Sequence, residues 1–175
     1  MIRVRDAVSA DGERVAAMVR GLTGDEHRPP ATFTAADFRR DGLGAGARFQ
    51  CLVAEVDGAV VGYATWYPAY DMSSATHGLH LLDLFVDEAG RGRGCGTALI
   101  RAVCRRAADG GGKWVCFHTR PDNTRALALY RRLGAEDLGL LFLAFDLPLR
   151  RSAPHRLAIL NSANAGYTLT RRNER

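Results

Sequence analysis

Between Val86 and Thr97 the chain places four glycines, Gly90, Gly92, Gly94 and Gly96, with Arg91 and Arg93 among them. Leu82, Leu84, Phe85 and Val86 ahead of this run are strand formers, and Leu99, Ile100, Val103 and Ala107 behind it recur at helical spacing. A strand, a glycine-dense turn and a helix start bring together unpaired N–H groups, the positive end of a helix dipole and two guanidinium groups. That combination is an anion site, most naturally for phosphate. Two common phosphate loops are excluded. A Walker loop closes on Gly-Lys-Ser/Thr, and the only lysine of the chain is Lys113. The dinucleotide pattern begun at Gly92 needs a third glycine where this chain has Thr97. The competing reading is a glycine-rich surface turn with stray arginines.

Further along, Asn123 opens a helix that carries Tyr130 two turns in. A phenol in that position can donate a proton, and its alternative is a core aromatic beside Leu129 and Leu133. Asn123 serves as a ligand contact, as the helix N-cap, or as both. For a base the candidates are Asp83, His80, His118 and Glu26. A histidine titrates near neutrality, but a lone histidine in a strand is more often a packed or surface residue. Asp25 and Glu26 stand together in an acidic loop, which by itself reads as an ordinary solvated loop.

These residues need elements to hold them. Ile2–Arg5 alternates as an opening strand, and Ser9 or Asp11 caps a helix with Val15, Met18, Val19 and Leu22 on one face. Gly24, Pro29 and Pro30 predict a loop over Thr23–Phe33, and Thr34 caps a short helix ending near Gly42. Phe49–Val56 and Val60–Tyr67 are strands joined at Asp57-Gly58, a hairpin signal. Ala69–His77 predicts a polar loop before the strand at 79–86. A helix over Thr97–Ala108 is stopped by Asp109–Gly112. Trp114–Thr119 is a strand, Pro121-Asp122-Asn123 opens a helix through Leu133 with Gly134 past its end, and Leu138–Leu147 holds one or two last strands.

With 175 residues, 47% of them hydrophobic, the chain can bury one sizeable core, in a single domain over 1–147. No apolar run approaches the roughly 18 residues of a membrane span, and the first residues lack a hydrophobic signal core, so a soluble, cytoplasmic protein is expected. Cys51, Cys95, Cys104 and Cys116 show no C-x-x-C pairing and read as free thiols, and no metal site is expected. The formal net charge of +5 resides wholly in 148–175, which holds six arginines and one glutamate. Residues 1–147 are neutral overall and show no nucleic-acid signature. The 148–175 extension itself suits a partner or nucleic-acid contact, with Leu157, Ile159 and Leu160 able to dock on a second subunit.

Arg91-x-x-Gly94-x-Gly96 after a strand ending at Val86 resembles the coenzyme A pyrophosphate loop of the GCN5-related N-acetyltransferases (GNAT superfamily). Asn123-x-x-Ala126-x-x-Leu129-Tyr130-x-x-x-Gly134-Ala135 resembles the second signature of that family, and the order of elements is that of its fold. Within the family the chain is most similar to the diamine (spermidine/spermine-like) subgroup. The residues concerned are Asp41-Gly42, Cys51–Val56, Gly62-Tyr63-Ala64 with Tyr67 and Tyr70-Asp71, Asp83-x-Phe85-Val86, and Tyr130-Arg131-Arg132-x-Gly134-Ala135-x-Asp137-Leu138.

The resemblance implies an α/β (α+β) fold: a central mixed, mostly antiparallel sheet, splayed between the strands at 79–86 and 114–119 and flanked by helices. It implies acetyl-CoA as co-substrate and a primary amine as acceptor, in a homodimeric enzyme working by direct attack in a ternary complex. The pyrophosphate falls to Arg91 and to the backbone of Gly92, Arg93, Gly94, Cys95, Gly96 and Thr97, with Asn123 nearby. The pantetheine arm and thioester carbonyl fall to Leu84, Phe85 and Val86. Tyr130 becomes the general acid and Asp83 the remaining catalytic carboxylate, with Asp25, Glu26 and His118 toward the acceptor. Where the subgroup carries Glu-Asp, this chain reads Leu82-Asp83. Acceptance of an aminoglycoside, an amino acid or a protein N-terminus, and acyl-CoA binding without turnover, stand as the alternatives.

Overall fold

The computed structural model describes residues 1–25 and 31–140. Five strands form one sheet in sequence order: β1 (Ile2–Asp6), β2 (Gln50–Val56), β3 (Ala59–Asp71), β4 (Thr76–Val86) and β5 (Val115–Cys116). The first four pair antiparallel and β5 joins β4 parallel. Four helices flank the sheet: α1 (Gly12–Asp25), α2 (Ala35–Asp41), α3 (Cys95–Asp109) and α4 (Thr124–Arg132).

Both faces of the sheet are covered, which is why β2 is apolar at nearly every position. Cys51 and Val53 point to the α1/α2 side, where they meet Val15, Met18, Phe38, Tyr63 and Phe85. Leu52, Ala54 and Val56 point to the other side and pack with Trp66, Leu81, Leu99 and Val103. Thr34 caps α2 as its sequence predicts, with its hydroxyl accepting from the Asp37 N–H. Asp11 has a different task. Its carboxylate takes two bonds from the Arg5 guanidinium, at 2.7 and 2.9 Å, and one from the Val8 N–H at 2.7 Å, tying the end of β1 to the start of α1.

Three predicted boundaries are corrected. The loop placed over Thr23–Phe33 begins later, because α1 runs through Thr23 and Gly24 to Asp25. The polar loop placed over Ala69–His77 is mostly strand. β3 continues to Asp71 and β4 starts at Thr76, with Tyr70 opposite His77 and Asp71 opposite Thr76. Asp71 makes this turn without glycine by accepting from the Ser73 N–H at 3.0 Å and the Ser74 hydroxyl at 2.5 Å. The strand over Trp114–Thr119 shrinks to Val115 and Cys116. Leu138–Leu140 is not in a strand, and the rest of that predicted segment, with the 148–175 extension, lies outside the described residues.

The last correction matters most for the site. β4 and β5 are paired only at Leu79 with Val115 and His80 with Cys116. They meet there because Gly78 has no side chain: a Cβ on it would lie 2.3 Å from the Trp114 carbonyl oxygen. Beyond His80, Leu81–Val86 keeps β3 on one side and has no strand on the other among the described residues. The sheet therefore forks, as the resemblance implies.

Candidate active site

The fork opens onto both faces of the sheet. On the α3/α4 face, Leu84 and Val86 of β4 and Phe117 beyond β5 pack against the cluster around Leu99. The loop that follows β4 is anchored first. Asp87 accepts from the Gly90 N–H at 3.1 Å and pairs with Arg14, and its own N–H reaches the Val61 carbonyl at 2.9 Å. Gly92 and Gly94 then adopt left-handed conformations, with φ of 73° and 90°, which favour glycine. Gly94 is the N-cap of α3, so the N–H groups of Cys95, Gly96 and Thr97 in its first turn lack intrahelical acceptors. Gly96 also admits α4: a Cβ there would meet Leu129 at 3.2 Å.

The two arginines are otherwise engaged. Arg91 donates from Nε to the Val86 carbonyl at 2.9 Å and rests over the Phe85 ring, while Arg93 pairs with Asp57 of the β2–β3 turn at 3.0 Å. The loop thus presents backbone N–H groups and a helix N-terminus, while its two guanidinium groups are tied to neighbouring groups. Asn123 caps α4, accepting from the Ala126 N–H at 3.2 Å. From that helix the half-buried Tyr130 reaches the mouth of the fork, with its ring 4.5 Å from that of Phe117.

The α1/α2 face presents different chemistry. The register of β4 shifts so that Thr65 faces Asp83 and Trp66 faces Leu81, leaving Leu82 as a bulge without a partner and 38% exposed. This bulge lets Leu81 and Leu84 both join the α3-side cluster, which strict alternation forbids for residues three apart. Asp83 consequently turns to the α1/α2 face, where the hydroxyl of the buried Tyr63 lies 3.4 Å from its carboxylate. Below the bulge, His80 stacks on Tyr67 at 5.1 Å, and His118 lies 5.8 Å from His80.

Of the residues singled out in the sequence, Leu84, Val86, the Gly92–Thr97 loop and Tyr130 gather on the α3/α4 face, while Phe85 between them turns to the α1/α2 core. Asp83 and His118 share the opposite face. Asp25 is the last residue of α1, and Glu26 lies outside the described residues. The grouping of Tyr67, His80 and Cys116 with His118 was not foreseen. Its signal was the β3–β4 turn, because a turn centred on Ser73–Ser74 puts Tyr67 opposite His80.

A glycine loop at a helix N-terminus beside a forked sheet is the arrangement that the sequence resemblance implies. The profile of the acetyltransferase (GNAT) family matches residues 16–135, and the chain belongs to that family. It is 33% identical over 147 residues to thialysine N-epsilon-acetyltransferase of Mus musculus, an alignment covering 78% of this chain and 85% of the relative. It is 30% identical over 144 residues to the spermidine/spermine N(1)-acetyltransferase-like protein 1 of Homo sapiens, covering 78% of this chain and 21% of that one. Its fold is that of a soil-metagenome aminoglycoside acetyltransferase solved in complex with sisomicin, at TM-score 0.69 and 19% identity, covering 83% of this chain and 96% of that one. The protein is an N-acetyltransferase of the family that uses acetyl-CoA as co-substrate. Among the described residues no helix is long and apolar enough to cross a membrane, and no cluster of three or more His, Cys, Asp or Glu is arranged to hold a metal.

Proposed function

We propose that the protein transfers the acetyl group of acetyl-CoA to the primary amine of a small polyamine-like or amino-acid-like molecule, by direct attack in a ternary complex. The observation that carries this reading is the fork, which joins a backbone-lined anion site on one face to a polar surface on the other. Gly92–Thr97 hold the pyrophosphate, with glycine letting it approach the main chain. The arm runs along Leu84–Val86, where a backbone N–H polarises the thioester carbonyl. Tyr130 gives its proton to the departing thiolate. From the other side, Asp83 attracts and orients the cationic amine, with His118 and Asp25 at the acceptor's entrance; Glu26, given the same role, lies outside the described residues. The relatives named for thialysine and spermidine/spermine support an acceptor of this class.

The same reading takes the protein as a cytoplasmic homodimer, whose 148–175 extension is an appendage to the 1–147 domain. Its basic charge lies outside the part of the chain that does the chemistry.

The test is coenzyme A thiol release with a panel of lysine, thialysine, spermidine, sisomicin and a peptide with a free N-terminus. Turnover is expected with thialysine, lysine or spermidine. Turnover confined to the peptide or to sisomicin contradicts the acceptor class, and none with any amine contradicts the reaction.

A further inference from the structure

The α1/α2 side of the fork holds a group of side chains that the scheme above leaves without a task. His80 is the last β4 residue paired with β5, so its ring stands where the two strands part. Three neighbours fix it. Tyr67 lies directly opposite on β3 and stacks with its ring centre 5.1 Å away and an interplanar angle of only 7°. The Cys116 sulfur lies 3.5 Å from Nδ1. The ring of His118, just beyond β5, sits 5.8 Å away.

Among the described residues the groups facing His80 are thus a phenol, a thiol and a second imidazole, with no carboxylate among them. That distinguishes its position from that of Asp83. A carboxylate partner would hold the imidazole charged, whereas here desolvation first, and the neighbouring His118 second, hold its pKa below the ordinary value of about 6.5. Burial pushes the Cys116 thiol up, so the sulfur stays protonated and presents no anion to the ring. In the tautomer whose Nδ1–H donates to the Cys116 sulfur, His80 is at neutral pH an immobilised, uncharged base with its lone pair on Nε2. His118 is exposed and connects this pair to solvent.

Resting on acetyl transfer to an amine at this site, we propose that His80 receives the acceptor's proton and that His118 passes it to water. The ammonium held by Asp83 first gives one proton to solvent; the lone pair so freed forms the C–N bond to the thioester carbonyl carbon, and the C–S bond breaks with its electron pair on sulfur. The surplus proton on nitrogen goes to the His80 imidazole. The thiolate takes the Tyr130 proton, and the phenolate recovers one from solvent.

A base must be deprotonated to act, so kcat falls as the pH drops through the His80 pKa, below 6.5. The experiment uses the full chain with the fastest amine of the panel. His80→Gln is expected to lower kcat by about 100-fold and to abolish the acid limb, with acetyl-CoA affinity by calorimetry within twofold of wild type. Wild-type kcat with the limb intact in that variant overturns the assignment. Should His80→Gln not fold, Tyr67→Leu decides. Loss of the stack solvates the ring, so the limb is expected to move up toward 6.5, and an unmoved limb overturns the proposal. NMR titration of the His80 ring in the wild-type protein gives a readout independent of turnover. A midpoint below 6.5 is expected, and one above 7 contradicts it. Failure of the acetyl-transfer reading shows in the wild type, as absent thiol release, whereas failure of the His80 assignment shows only in these readouts.

Discussion

The two faces of the β4–β5 fork are built by different means. On the α3/α4 face the groups proposed to bind are backbone N–H groups, presented by Gly92, Gly94 and the first turn of α3. On the α1/α2 face they are side chains drawn from three strands, Tyr67, His80, Asp83 and Cys116, with His118 beyond them. The first kind of site depends on conformation over a few adjacent residues and tolerates little change at its glycines. The second depends on strand register and can change its chemistry one side chain at a time. The contrast explains how one coenzyme site serves a family with many acceptors.

Variants on each face should separate the two functions. The largest effect is expected from Gly94→Glu, which sets a carboxylate and a strained backbone in the phosphate loop. Its control is Gly134→Glu, where φ is 89° against 90° at Gly94 and the surroundings are open. Calorimetry should show acetyl-CoA affinity reduced by about 100-fold or more in the first, equivalent to about 2.7 kcal/mol, and unchanged in the second. Equal loss in both would mean that backbone strain alone is at work. Tyr130→Phe should lower kcat by about 10- to 100-fold at unchanged acetyl-CoA affinity, and unchanged turnover would remove the phenol from the reaction.

Gly78→Ala tests the junction that both faces share. The new methyl would sit 2.3 Å from the Trp114 carbonyl, and a loss of about 1–3 kcal/mol in denaturant unfolding is expected. A neutral result would show that β5 is not held by this approach. The smallest change is expected from Asp83→Asn: the KM for the amine should rise by about threefold to tenfold, or roughly 0.7–1.4 kcal/mol, with acetyl-CoA affinity unaffected. A rise in the acetyl-CoA constant instead would place Asp83 on the wrong face.

The same contrast governs what could be read before any coordinates. The conformation of the glycine loop was legible because Gly92, Gly94 and the start of α3 act locally, and local conformation is written in residue type. Asn123 as a helix cap and Asp57-Gly58 as a turn were legible for the same reason. The turn after β3 was not, because Ala75 takes the left-handed conformation that glycine ordinarily supplies, while Asp71 accepts from Ser73 and Ser74. Missing that turn hid the register, and with it the stacking of Tyr67 on His80. The bulge at Leu82 was hidden too, since it arises from the packing demands of Leu81 and Leu84 on one face and not from any local signal. Arg91 and Arg93 were legible as charges near the loop, but their engagement with Val86 and Asp57 follows from tertiary placement.

The central claim is that coenzyme and amine approach the fork from opposite faces. It is tested most directly by amide chemical-shift mapping of the full chain, first with coenzyme A and then with the amine that turns over fastest. Coenzyme A should shift Gly92–Thr97, Leu84–Val86 and Tyr130, and the amine should shift Tyr67, His80, Asp83 and His118. Coenzyme shifts centred on Tyr67 and His118, with Gly92–Thr97 unmoved, would contradict it.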